Sequence, residues 1–247
     1  MNIYLTAPAD YILPPNPVFR RARILYKVRA GKLYLAKGHA RTTGGAAVVG
    51  VSELRAGTPV AELADEISAE VSARRFDGVV FDGGEGAPRT AAALADETAA
   101  RIAPKPVFVA EPLGEYAPRA VVLVQSALSG GYLMNHIAAA VKKYGRERVA
   151  IELDRVIMDF TLPSFTGVGE EITRGEAERR RGESPVFFAD SLCVNYFMYS
   201  DGNKHIVLYD DAESVNAKLA LAAEFGIRDV FIYYPQVKDI FEGIRAR

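Results

Sequence analysis

The chain holds one cysteine and three histidines in 247 residues. A single thiol, Cys193, excludes an intrachain disulfide and cannot by itself furnish a thiolate zinc site. Flanked by Leu192 and Val194, it reads as a buried thiol and not as a nucleophile. His39, His136 and His205 are far apart, and none falls at the end of an apolar run, which argues against a histidine metal site or a Ser-His-Asp triad; no metal and no cofactor is expected. Charge of one sign is lacking too. With 30 basic against 31 acidic residues there is no field to hold a polyanion, so neither nucleic acid nor an anionic membrane is an expected partner. The only dense basic cluster, Arg179-Arg180-Arg181, is interleaved with Glu176, Glu178 and Glu183 and reads as a solvated helix face. No apolar run approaches the ~18 residues of a membrane span, and the opening MNIYLTAPAD has no basic segment followed by an apolar stretch, so the chain as it stands reads as cytoplasmic.

What is present is a recurrence of short apolar runs: NIYLTA, ARILYKV, AAVVGV, GVVFDG, VFVAEP, VVLVQSA, VAIEL and VFIYYP. Runs of this length with glycine or polar ends read as buried parallel strands. Helical patterns separate the later ones. Thr58 is placed to cap and Pro59 to start a helix whose Val60, Leu63, Ala64, Ile67 and Val71 share one face. Others are expected at about 88 to 102, 131 to 144 and 213 to 225, the last closed by Gly226. Eight strands separated mostly by helices, with no linker, predict a single α/β domain over 1–247, a (β/α)8 TIM barrel. The helices after the first two strands are short or missing, and RAGKLYLAKG reads as a hairpin excursion. A doubly wound open sheet is the alternative. After strand seven a long insertion, 159–211, carries a polar helix and a hairpin around Asp201-Gly202, and it is expected to wall a cleft.

In a parallel barrel the C-terminal strand ends converge on one face. Here they carry Asp82 and Glu85 in FDGVVFDGGEG, then Glu111, Gln125, Ser126, Glu152, Asp154, and Tyr233 with Tyr234. Carboxylates over a polar aromatic floor suit sugar chemistry: rings stack on aromatic faces, carboxylates bind hydroxyls, and a carboxylic acid can protonate a leaving oxygen. The glycine pair Gly83-Gly84 would let a ligand approach the backbone.

The stretch Phe76-Asp77-Gly78-Val79-Val80-Phe81-Asp82-Gly83-Gly84-Glu85 resembles the signature of family 18 glycoside hydrolases, the chitinase-like barrels, DGxDxDxE at the end of the fourth strand. The region NYFMYSDGNKHIVLYDDAESVNAKLALAAEFGIRDVFIYY is similar to that of the bacterial spore-lysin-like branch, with its tyrosine-rich hairpin and a Y-D-D-x-x-S-x-x-x-K helix start. The resemblance covers about residues 70 to 240. It implies substrate-assisted hydrolysis of an N-acetylglucosamine polymer of chitin or peptidoglycan type, and a secreted or spore-associated protein if a leader has been removed.

The sequence departs from that pattern. Asp77 and Asp82 match its first and third aspartates, whereas the second falls on Val80 and the catalytic glutamate on Gly84, with Glu85 one residue late. Leu123-Val124-Gln125-Ser126 stands where the family has Met-x-Tyr-Asp, and Tyr233 or Tyr234 where it has a tryptophan floor. The resemblance therefore implies Glu85 and Asp82 as catalytic residues if chemistry survives, with Asp77, Glu111, Gln125, Glu152, Asp154, Tyr233 and Tyr234 binding substrate. Two readings stand: a barrel that binds an N-acetylated glycan with weak or lost hydrolysis, or an active glycosidase with Glu85 as acid. The first is preferred because three of the family's chemical positions are altered together. The oligomeric state is not legible.

Overall fold

The computed structural model describes residues 1–39, 41–164 and 167–245. The chain opens with β1 (Asn2–Pro8) and β2 (Phe19–Arg29) and turns through Ala30-Gly31 into the short antiparallel β3 (Lys32–Leu35). It then lays down β4 (Ala46–Gly50), β5 (Gly78–Asp82), β6 (Val107–Ala110), β7 (Val121–Gln125) and β8 (Val149–Leu153). A second, antiparallel sheet follows: β9 (Ile157–Leu162), β10 (Glu170–Glu171), β11 (Phe187–Ala189), β12 (Val194–Ser200) and β13 (Lys204–Tyr209). Strand β14 (Asp229–Tyr233) completes the first sheet.

Each of the eight apolar runs is a strand of a closed parallel barrel. Strand β1 pairs in parallel with both β2 and β14, so the sheet has no edge where the open-sheet alternative needs one. The helices α1 (Val60–Ala73), α2 (Pro88–Ile102), α3 (Leu133–Tyr144) and, after α4 (Arg174–Arg181) in the second sheet's layer, α5 (Ala212–Glu224) agree with the periodicity. Gly226 ends α5 with φ 67°, in the left-handed region glycine tolerates. One capping expectation fails: Thr58 turns its hydroxyl back to the Arg55 carbonyl at 2.8 Å, and α1 begins after Pro59 with no side-chain cap.

Strand alternation sorts the core. In β5, Val79 and Phe81 face outward and pack with Leu63, Ile67, Ala91 and Ala95 of α1 and α2, while Val80 faces the lumen. The lumen is filled by three rings. Tyr4 stacks on Phe231 at 4.5 Å between centroids, and Phe108 meets Phe231 edge-on at 4.8 Å. Ala22, Ala46 and Ala150 give these rings room. The plug occupies the lower barrel, so open space remains only above it, toward the C-terminal strand ends.

The second sheet lies between β8 and α5. One of its faces packs with α4 through Ile172, Ala177, Phe197 and Val207; the other meets Ala127 and Leu128 of the loop after β7. Arg180 does not lie on a solvated face: it pairs with the buried carboxylate of Asp159, which also accepts from the Tyr199 hydroxyl at 2.5 Å and lies 3.0 Å from the His205 ring nitrogen Nδ1. The sheet is tied to the barrel by Asp210, fully buried, which accepts from the Val156 amide, the Ser214 hydroxyl and the Lys218 ammonium at 2.8, 2.7 and 2.6 Å. Asp211 and Ser214 cap α5 reciprocally, which accounts for the spacing Asp210-Asp211-x-x-Ser214-x-x-x-Lys218: Ser214 and Lys218 are one turn apart on the same helix face. Lys218→Met, which leaves the Asp210 carboxylate buried without its cation, is expected to lower stability by about 3–5 kcal/mol. A urea midpoint unchanged from wild type would contradict this.

Candidate functional site

Eight parallel strands deliver their inward-facing last residues to one opening. Thr6 from β1, Ile24 from β2, Val48 from β4, Val80 and Asp82 from β5, Ala110 from β6, Leu123 and Gln125 from β7, Glu152 with Asp154 from β8, and Phe231 with Tyr233 from β14 line a cavity of about 420 Å³. Its floor is Phe231, the top of the ring plug, with Val48, Val80 and Leu123; its walls are polar. The register places Gln125 beside Glu152 on neighbouring strands. Asp82 lies three strands from Glu152, so these two carboxylates face one another across the lumen.

Of the residues expected here, Asp82, Glu85, Gln125, Glu152, Asp154 and Tyr233 are brought together. Three are not. Asp77 precedes β5 and sits about five residues, roughly 16 Å, below Asp82 at the other end of the barrel. There its charge acts on Tyr4 and its amide is tied to the Gly45 carbonyl. Glu111 starts a 3-10 turn after β6 and turns aside, with a carboxylate oxygen 3.8 Å from His136. Tyr234 follows the inward Tyr233 and opens a short helical turn, away from the cavity lining and in edge contact with Tyr11 and Phe241 at 5.8 and 5.2 Å. Ser126 is likewise outside the lining, and its buried hydroxyl has no hydrogen-bond partner, although its amide donates to the Glu152 carbonyl at 2.9 Å. Among the described residues none from 157 to 209 lines the cavity, so the expected cleft wall stands beside the mouth and not around it. The floor residue Phe231 was hidden in the run VFIYY; alternation across that run is the signal for it.

Of the glycine pair, Gly83 lines the cavity, whereas Gly84 serves packing. Gly84, at φ +107°, lies where a Cβ would come within 2.7 Å of the Ala91 Cβ on α2. The position that carries the glutamate in the resembling family is thereby closed to any side chain in this backbone. Glu85, one residue on, is exposed at the rim.

No protein-family model matches the chain, and no curated protein matches it in sequence. Solved structures do. The C-terminal domain of a putative chitinase from Desulfitobacterium hafniense superposes with TM-score 0.69 at 16% identity, over 98% of this chain and 96% of that one. The Bacillus cereus spore cortex-lytic enzyme SleL gives 0.64 at 13% identity, covering 99% and 74%. Human YKL-39, a pseudo-chitinase with retained chitooligosaccharide binding, gives 0.63 at 10% identity, covering 98% and 99%. The fold is that of chitinases, chitinase-like proteins and spore cortex-lytic enzymes, as the sequence resemblance implies.

The electrostatics of the mouth are lopsided. Among its described lining residues there are four carboxylates, those of Asp82, Glu85, Glu152 and Asp154, and no cationic side chain. Burial, then the charges of Asp154 and Asp82, push the Glu152 carboxyl up to about 7. Burial followed by Glu85 raises Asp82, whose side chain nonetheless reaches the open mouth. Burial also raises Asp154, against the pull of Lys218. A carboxyl whose folded value lies above its unfolded 4.5 holds a proton that the unfolded chain has released, so stability falls as pH rises from about 4.5 to 7 and stays lower above. Glu152→Gln is therefore expected to be neutral below pH 4 and to stabilise by up to roughly 3 kcal/mol above pH 7. Urea unfolding of both proteins across that range tests it, and a difference that does not grow with pH would contradict it.

Proposed function

We propose that the barrel mouth binds an N-acetylated glycan of chitin or peptidoglycan type, and that hydrolysis by the family 18 route is weak or lost. The observation that carries this reading is one cavity in which Tyr233 and an apolar floor lie beside Asp82, Gln125 and Glu152. Its volume of about 420 Å³ is at the small end for ligand sites. An aromatic face takes the apolar face of a sugar ring, and the polar groups around it take its hydroxyl and amide groups. The loss of chemistry is supported by the site's own geometry: position 84 admits no side chain, Val80 can neither share a proton nor hydrogen-bond, and Glu85 sits exposed at the rim. A pseudo-chitinase of the same fold that retains chitooligosaccharide binding provides a precedent for a binding barrel.

Calorimetric titration with chito-oligosaccharides is expected to show binding that Tyr233→Ala abolishes and Tyr234→Ala, a change away from the cavity, leaves intact. Fluorogenic chitin-type substrates are expected to turn over at background. Glu85→Gln is expected to change binding by no more than about 1 kcal/mol, the size of one ordinary hydrogen bond. Turnover that Glu85→Gln removes while binding persists would establish the active alternative instead.

A further inference from the structure

Among the described residues two carboxylates, Asp159 and Asp210, are buried and Glu152 is half-buried in the cavity, and the three are treated in two different ways. Asp159 is met by Arg180, Tyr199 and His205, and Asp210 by Lys218, Ser214 and the Val156 amide. Glu152 has no such partner. Among the described residues no donor reaches its carboxyl, although it stands on β8, a central strand of a rigid barrel, and points into the cavity. Its neighbours offer no cation either. The charges of Asp82, at the end of β5, and of Asp154, just past its own strand, act on it; Glu85 is exposed at the rim, Tyr233 comes from β14, and Gln125 of β7 and Thr6 of β1 are uncharged. Lys218 of α5, which acts on Asp154, is already bound to Asp210. A carboxyl so placed avoids the cost of an unpaired charge by keeping its proton, and it then has an O–H to donate.

We propose that Glu152 meets the ligand as a neutral carboxylic acid and donates a hydrogen bond to an acceptor oxygen on it, so that binding at the mouth depends on one titrating proton. This rests on the reading of the mouth as a glycan site and deepens it: the acceptor that fits is the carbonyl oxygen of an acetamido group, a neutral group that strengthens beside an acid and is repelled by a carboxylate. A deacetylated amino sugar carries an ammonium instead, and it would bind better as Glu152 ionises. The two ligand classes therefore have opposite pH dependence at the same residue.

The test is calorimetric titration of the wild type, Glu152→Gln and Glu152→Ala with the N-acetylglucosamine trimer and with the glucosamine trimer. It is paired with ¹³C NMR of the side-chain carboxyls without ligand. A site that binds only in its protonated form, with Glu152 titrating at about 7, should lose affinity about 30-fold between pH 5.5 and 8.5. Glu152→Gln, which keeps an N–H donor and cannot titrate, should bind the acetylated trimer with affinity flat across that range, and Glu152→Ala should bind weakly throughout. In the NMR titration one carboxyl resonance should move near pH 7 and be missing from Glu152→Gln.

Wild-type affinity that is flat with pH, a Glu152→Gln variant that keeps the wild-type slope, or a Glu152 resonance moving at the ordinary carboxylate value would each overturn the proposal. So would tighter binding of the glucosamine trimer that improves as pH rises. Absence of binding by either trimer, with the resonance still moving near pH 7, would overturn the glycan reading and the donor role together. That result is distinct from a failure of the protonation alone.

Discussion

Strand β1 is hydrogen-bonded on both sides, to β2 and to β14, and the rest of the molecule depends on that closure. A closed parallel sheet divides every strand's residues between an outer surface that helices cover and a lumen that only side chains from the strands can fill. Tyr4, Phe108 and Phe231 fill the lower lumen, and space is left only above them. The inward residues at the ends of β5, β7, β8 and β14 have nowhere to point but into that space, and most of them are polar.

The contrast between partnered and unpartnered carboxylates gives this cavity its character. Where a carboxylate holds the structure together, as Asp210 does between the second sheet and α5, it is saturated with donors and faces a cation. The mouth is built in the opposite sense, with mutually repelling acids over an apolar floor. Uncompensated groups of this kind cost stability. The glycine at position 84 follows the same separation of roles: it seats α2 against the barrel wall through Ala91 and removes the side chain that the resembling family places there.

Much of this was legible in the sequence because barrel strands are short, apolar and bounded. All eight runs were strands, and the helices at 88 to 102 and 213 to 225 fell within a residue of their ends. The lining of the cavity was legible where position along the strand decided it, as for Asp82, Gln125, Glu152 and Tyr233. It was not legible where a turn or the wrong end of a strand decided it. Tyr234 opens a helical turn just past the inward Tyr233, Glu111 lies in a turn after β6, and Asp77 precedes β5 at the end opposite Asp82. The network of Asp159, Arg180, Tyr199 and His205 had no local signal, because its members come from three different strands and a helix that meet only through tertiary packing.

The proposed glycan site is the mouth, and not the exposed aromatic face around Phe187 and Tyr196 on the second sheet. The most direct test is a crystal structure of the protein soaked with the N-acetylglucosamine trimer at pH 5.5. One sugar ring is expected over Tyr233, with its acetamido oxygen within hydrogen-bonding distance of Glu152. An ordered sugar on Phe187 and Tyr196, with the mouth left to solvent, would contradict it.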